Sequence, residues 1–101
     1  MAPEQAKGVK QLTTTADIYS LGAILYQLRT GRPPFHAETP LQTLYKVLEQ
    51  EPTRPSQINL RVDCDLETVC LKCLEKDPQR RFGSAEALAE HLERWLGQEP
   101  I

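Results

Sequence analysis

The chain has 101 residues, of which 40% are hydrophobic and 26% charged, and its formal net charge is −2 at pH 7. These values are ordinary for a globular domain, and the charge gives no basic surface for nucleic acid or an anionic membrane. No apolar run approaches the roughly 18 residues that a membrane-spanning helix needs. Three irregularly spaced cysteines favour a reducing compartment over a disulfide framework. We therefore expect a cytoplasmic location, although a longer protein containing this chain could be membrane-anchored.

The first predicted helix spans about residues 15–29. Thr14 is a suitable N-cap, and Asp17 three residues later completes the spacing of a capping box. Gly31 suits the left-handed residue that follows many helices. The apolar side chains of this segment are Ile18, Tyr19, Leu21, Ala23, Ile24, Leu25, Tyr26 and Leu28. They surround most of the helix, and a helix that is apolar on nearly every side is normally buried at the centre of a fold.

The second predicted helix has Thr39 as its N-cap and Pro40 in its first turn, where proline is favoured. Its apolar residues are Leu41, Leu44, Tyr45 and Leu48. They recur at i, i+3, i+4 and i+7, which predicts an amphipathic helix ending near Gln50. Residues 51–62 include two prolines and are predicted to form an ordered surface loop.

Two further amphipathic helices complete the pattern. The third is predicted to begin near Asp63 or Asp65 and to be ended by Pro78. The fourth follows Ser84, a good N-cap, and is closed by Gly97. The sequence therefore predicts an all-α fold of about four helices around a central buried helix, with no convincing strand.

Four short motifs occur in order along the chain. They are Ala2-Pro3-Glu4, Ala16-Asp17-Ile18-Tyr19-Ser20-Leu21-Gly22, Gly31-Arg32-Pro33-Pro34-Phe35, and Asp77-Pro78-Gln79-Arg80-Arg81-Phe82. Together they resemble the distal C-lobe of a Ser/Thr protein kinase, from the Ala-Pro-Glu motif to the last helix. The last two helices are most similar to bacterial members of that family. The resemblance implies a partial protein kinase domain over residues 1–97 and a frayed tail over 98–101.

The resemblance implies an ion pair between the first and last motifs. In the family, the Glu of Ala-Pro-Glu pairs with the Arg of the last motif, which places Glu4 against Arg81. If this pair is buried, losing either partner costs about 3–5 kcal/mol. A pair on the surface is worth only about 0–1 kcal/mol, and the family likeness favours the buried arrangement.

The resemblance also assigns roles on the first helix. The family's counterpart of Asp17 hydrogen-bonds the backbone of the catalytic loop; without that loop, Asp17 can only cap its own helix. Ile24 and Leu28 match positions that anchor columns of apolar side chains reaching the nucleotide, but within this chain we expect plain core packing. Gly22 closes the same motif and is expected to be structural.

The resemblance implies that the second helix lies on the side of the domain where the peptide substrate docks, and it relates Gln27 to substrate preference. Gln27 stands where kinases that prefer basic substrates often carry an acidic residue, so a strong basic preference is not expected. The residues in and around the first motif are not those typical of Tyr kinases, which favours Ser or Thr as the phosphate acceptor.

The machinery of phosphoryl transfer is missing from this sequence. Transfer needs a glycine-rich loop, a lysine on the phosphates, an aspartate for the acceptor hydroxyl and Mg²⁺ ligands, and no segment supplies them. We therefore expect no catalytic, cofactor-binding or metal-binding residue in this chain. ATP and Mg²⁺ are implied only for a full-length kinase. The expected partners are the missing N-lobe and catalytic loop and a protein substrate. The absent helices and the catalytic loop of such a domain would cover an otherwise exposed apolar patch on the first helix.

Two alternatives remain at this point. Cys70 and Cys73 have a spacing seen in zinc sites, but no second ligand pair completes four ligands, so core packing is expected. The chain as a whole could instead be a free-standing helical interaction module that kept the kinase scaffold and lost its chemistry.

Overall fold

The computed structural model describes residues 2–3 and 14–97. Within these ranges the fold is built from helices and contains no strand, which confirms the all-α prediction. The helices are α1 (Thr14–Thr30), α2 (Pro40–Glu49), α3 (Pro55–Ile58), α4 (Cys64–Cys73) and α5 (Ala85–Gly97), with a 3-10 turn at Pro78–Arg80. None of the helices described is long and apolar enough to cross a bilayer. The predicted tail at 98–101 lies outside these ranges.

The helix ends follow most of the capping signals. Thr39 accepts a hydrogen bond from the Gln42 N–H at 3.2 Å, and the Ser84 hydroxyl accepts one from the Ala87 N–H at 3.1 Å. Gly31 follows α1 with φ at 81°, the left-handed conformation expected after a helix end. Thr14, by contrast, is already the first residue of α1, so its predicted place as N-cap is wrong.

Two predicted boundaries differ from the structure. The segment predicted as a loop contains the short helix α3, because the Glu67 carboxylate accepts a hydrogen bond from the Ser56 N–H at 2.8 Å and caps it from α4. Such a cap lies too far along the sequence to be read from a local pattern. Helix α4 ends at Cys73 rather than continuing to Pro78, which instead begins the 3-10 turn.

The core lies where α1 packs against α4 and α5. At the crossing of α1 and α4, a Cβ added to Gly22 would collide with the Cβ of Cys73. The Cys70 thiol donates to the Gly22 carbonyl oxygen at 3.5 Å. Glycine at position 22 therefore lets the two backbones approach closely at this point.

Helix α1 is central but has two unlike faces. Its buried residues are Ala16, Ile18, Tyr19, Gly22 and Tyr26. On the opposite side Leu21, Ile24 and Leu28 are 46%, 56% and 76% exposed. The expectation of plain core packing for Ile24 and Leu28 is thus wrong for this chain, because no described helix covers that side. An exposed apolar surface on α1 was expected, and these three side chains form it.

Candidate functional site

Arg81 forms a buried node beneath the start of α1. The residue is 4% exposed. Its guanidinium donates to the carbonyl oxygens of Thr15, Glu75 and Lys76 at 2.9, 2.7 and 3.3 Å. It also lies over the Tyr19 ring, 4.9 Å from the centroid. Arg81 therefore joins α1 to the turn after α4. Glu4, its predicted partner, lies outside the described residues.

The open face of α1 is an apolar stripe with an acidic residue at one end. Asp17, Leu21, Ile24 and Leu28 follow one another at spacings of four, three and four residues, so they share one side of the helix. Asp17 is exposed in the first turn of α1. We call this set the open face. It brings together three of the residues singled out by sequence, Asp17, Ile24 and Leu28.

Helix α2 presents a second exposed surface. Leu41 and Tyr45, one turn apart, are both exposed. Gln27 is also exposed, but it lies on α1, near the helix end that leads into the loop before α2. Between α1, this loop and α2 lies an apolar cavity of about 410 Å³, with Tyr19, Phe35 and Leu44 in its walls.

Lys76 connects three segments at the C-terminal end of α2. Its ammonium donates to the Val47 carbonyl oxygen at 2.7 Å and lies over the Phe35 ring, 4.8 Å from the centroid. Partial burial lowers the pKa of Lys76 from its usual value, and the nearby carboxylates of Glu49, Glu51 and Glu75 oppose that shift. No local sequence signal pointed to this residue, because its partners come from elements far away in sequence.

A second buried charge, Glu67, ties α3 to α4. Its carboxylate accepts from the Ser56 N–H and from the Arg54 guanidinium, the latter at 3.3 Å. The hydrogen bonds from Ser56 lower the pKa of Glu67 more than burial raises it, and Arg54 adds to the lowering. The amphipathic pattern of α4 did not point to Glu67, because a charged residue is expected on the solvent side of such a helix.

The cysteines have the packing role expected of them. Cys70 and Cys73 are buried on the side of α4 that faces α1, and all three cysteines are free thiols. Burial is the main cause that raises the pKa of Cys70 and of Cys73 to about 12. Such thiols stay protonated and unreactive at neutral pH. Among the described residues, no group of three His, Cys, Asp or Glu side chains is placed to hold a metal ion.

The helices and contacts described above define an all-α scaffold whose central helix, α1, is packed on one face and exposed on the other. The sequence profile of the family described as protein kinase domain matches residues 1–92. The chain belongs to the protein kinase family.

Curated relatives support the same assignment. The chain is 37% identical over its full length to a probable serine/threonine-protein kinase of Streptomyces coelicolor. It is 38% identical over 99% of its length to the serine/threonine-protein kinase PknB of Mycobacterium leprae. It spans only 15% and 16% of the length of these two proteins. It therefore corresponds to one part of a Ser/Thr protein kinase.

A solved structure has the same arrangement of helices. The twitchin kinase region from C. elegans matches 97% of this chain with a TM-score of 0.80 and 28% sequence identity, and the match covers 17% of that structure's chain. The helices described above therefore have the fold of part of a kinase domain.

Proposed function

We propose that this chain supplies the distal C-lobe of a Ser/Thr protein kinase domain, which in the complete protein transfers phosphate from ATP to Ser or Thr of protein substrates. The observation that carries the proposal is the open face of α1. A helix at the centre of a fold that leaves Leu21, Ile24 and Leu28 exposed is missing neighbours on that side. The missing helices and the catalytic loop of the kinase domain are the neighbours that we propose, and the N-lobe completes the domain.

Asp17 is the residue of the open face to which we assign a polar contact with the rest of the domain. It lies at the N-terminal end of the apolar stripe, and its exposed carboxylate is available to accept hydrogen bonds. We assign it the family role of holding the backbone of the catalytic loop, while Ile24 and Leu28 support the apolar columns that reach the nucleotide. Each residue acts through contacts with the rest of the domain, so none of them is a catalytic residue.

The node at Arg81 fixes this scaffold to the end of the activation segment. Burying a guanidinium is favourable only when an anion accompanies it, and we assign that anion to Glu4 of the Ala-Pro-Glu motif. The burial of Arg81 supports the assignment. The pair would hold the segment around Glu4 against the start of α1 and the turn after α4.

Substrate contact is assigned to the α2 side, where Leu41 and Tyr45 are exposed, with Gln27 disfavouring a strong basic preference. We assign ATP and Mg²⁺ to other parts of the full-length kinase. In the described part of this chain, no cluster of acidic, His or Cys side chains fits a metal ion. Phosphoryl transfer needs such ligands. The free thiols of the three cysteines support a cytoplasmic location for this part.

A chimeric kinase tests the proposal. Residues 1–97 replace the corresponding segment of M. leprae PknB, one of the relatives described above. We expect the purified chimera to melt cooperatively and to phosphorylate Ser or Thr when Mg-ATP is supplied. A chimera that does not fold, or that folds and transfers no phosphate, contradicts the proposal and favours a free-standing interaction module.

A matched pair of variants isolates the role of Asp17. Asp17→Asn in the chimera is expected to lower kcat on the order of 10- to 100-fold through misplacement of the catalytic loop, with little change in melting temperature. Asp65→Asn removes another exposed first-turn carboxylate, from α4, and is expected to leave kcat unchanged. Equal effects of the two substitutions would contradict the assigned role.

A further inference from the structure

Helix α2 is attached to the rest of the described fold unlike any other long helix. The substantial helix contacts join α1 to α4, α5 and α3, and α4 to α3 and α5, but none involves α2. Val47, near its C-terminal end, is its only buried residue. Along the rest of α2, the apolar cavity separates the helix from α1, with Pro40 and Thr43 in its wall. The helix therefore depends on contacts at its C-terminal end.

Lys76 supplies a polar contact at this end. The last carbonyl groups of a helix have no partner within the helix, and they carry partial negative charge. The Val47 carbonyl is one of them, and the Lys76 ammonium caps it from another segment at 2.7 Å. The same ammonium contacts the face of Phe35, which lies in the loop entering α2. One side chain thus holds both the end of α2 and its approach.

The hydrogen bond made by Lys46 cannot replace Lys76, and that from the Tyr26 hydroxyl to the Thr53 carbonyl oxygen holds the segment after α2 rather than the helix itself. The Lys46 ammonium donates to the His36 carbonyl oxygen at 2.8 Å. Both residues belong to α2 or to the loop that precedes it, so this bond keeps α2 in contact with its own loop only. It does not join α2 to the core formed by α1 and α4.

We propose that Lys76 is the positioning residue of α2: it sets where the exposed pair Leu41 and Tyr45 stands relative to the core. The attachment follows from the contacts of Lys76 alone. Its consequence for protein substrates rests on the proposed function, in which α2 belongs to the docking side.

Hydrogen exchange on the 101-residue chain tests the attachment. Lys76→Met keeps much of the side-chain volume and removes the charge. We expect the backbone amides of residues 44–50 to exchange on the order of tenfold faster, as fits the loss of a hydrogen bond to a charged group. The amides of α4 are expected to keep their protection. Unchanged protection of α2, or an equal loss in every helix, overturns the proposal.

Two control variants sharpen this experiment. Lys72→Met removes another lysine that lies over an aromatic ring, that of Phe82 at 4.6 Å, and is expected to leave exchange in α2 unchanged. Phe35→Leu removes the ring under the Lys76 ammonium but keeps the bond to Val47, so a smaller acceleration confined to α2 is expected. Acceleration of α2 by Lys72→Met equal to that by Lys76→Met overturns the proposal.

The functional consequence has its own measurement. In the chimeric kinase, Lys76→Met is expected to raise KM for a protein substrate several-fold while kcat with saturating substrate stays unchanged, because docking weakens and chemistry does not. Lys76→Arg, which keeps the charge, is expected to restore part of the loss. A fall in kcat with unchanged KM overturns the docking role. An inactive chimera refutes the proposed function instead, and the exchange result then stands separately.

Discussion

The two faces of α1 carry opposite kinds of surface along the same helix. On the packed face, Gly22 meets α4 with no room for a methyl group, and Arg81 is buried under the first turn. On the open face, Ile24 and Leu28 are more than half exposed. An isolated domain gains stability by burying such side chains. The difference indicates that the packed face stabilises this chain, whereas the open face is the surface for which we propose contact with other parts of a kinase.

The largest expected effect concerns the Arg81 node on the packed face. Under the proposed pairing of Glu4 with Arg81, Arg81→Met and Glu4→Gln are each expected to lower the free energy of unfolding by about 3–5 kcal/mol, because each would leave the other charge without its partner. Urea denaturation followed by circular dichroism measures the change. Arg80→Met removes an exposed neighbouring arginine and is expected to change stability by less than about 0.5 kcal/mol. A loss below about 1 kcal/mol for Glu4→Gln would mean a surface pair or none.

The next effect tests the close approach of α1 to α4. Gly22→Ala adds a methyl group that collides with Cys73, so it is expected to destabilise the chain by about 1–3 kcal/mol despite the better helix propensity of alanine. The same denaturation experiment measures it. Gly83→Ala serves as the control, because an added Cβ there meets no atom within 4 Å. If both substitutions leave stability unchanged, the close contact between α1 and α4 at Gly22 is contradicted.

A smaller effect, dependent on pH, is expected at Glu67. The pKa of this residue is lowered in the folded chain. Its carboxylate therefore stabilises the fold fully at pH values above the pKa that Glu has in an unfolded chain, about 4.3. That contribution is lost as the pH falls through the lowered pKa. Glu67→Gln is therefore expected to cost about 1 kcal/mol at pH 7 and progressively less in acid. Denaturation midpoints measured between neutral and acid pH test this, and a pH-independent difference would contradict it.

The sequence predicted the helices well where the signals are local. The N-caps at Thr39 and Ser84, and Gly31 after α1, could each be identified within a few residues. The early end of α4 and the presence of α3 could not, because they depend on contacts such as that between Ser56 and Glu67.

The site shows the same division between local and long-range information. The family resemblance singled out Asp17, Ile24 and Leu28, which the structure places on one face of α1. Their exposure depends on which helices surround α1, and periodicity alone does not say that. Lys76 was missed for a related reason: its partners, Val47 and Phe35, lie about thirty and forty residues earlier in the chain.

Thiol labelling tests most directly whether the open face of α1 is covered by the rest of a kinase domain. Ile24→Cys is introduced into a Cys64→Ser background, since Cys64 is the exposed cysteine while the buried thiols of Cys70 and Cys73 have their pKa raised to about 12. Labelling is compared between the isolated chain and the chimeric kinase, with accessible cysteines of the PknB part replaced. We expect rapid labelling at position 24 in the isolated chain and strong protection in the chimera. Equal labelling rates in the two proteins would contradict it.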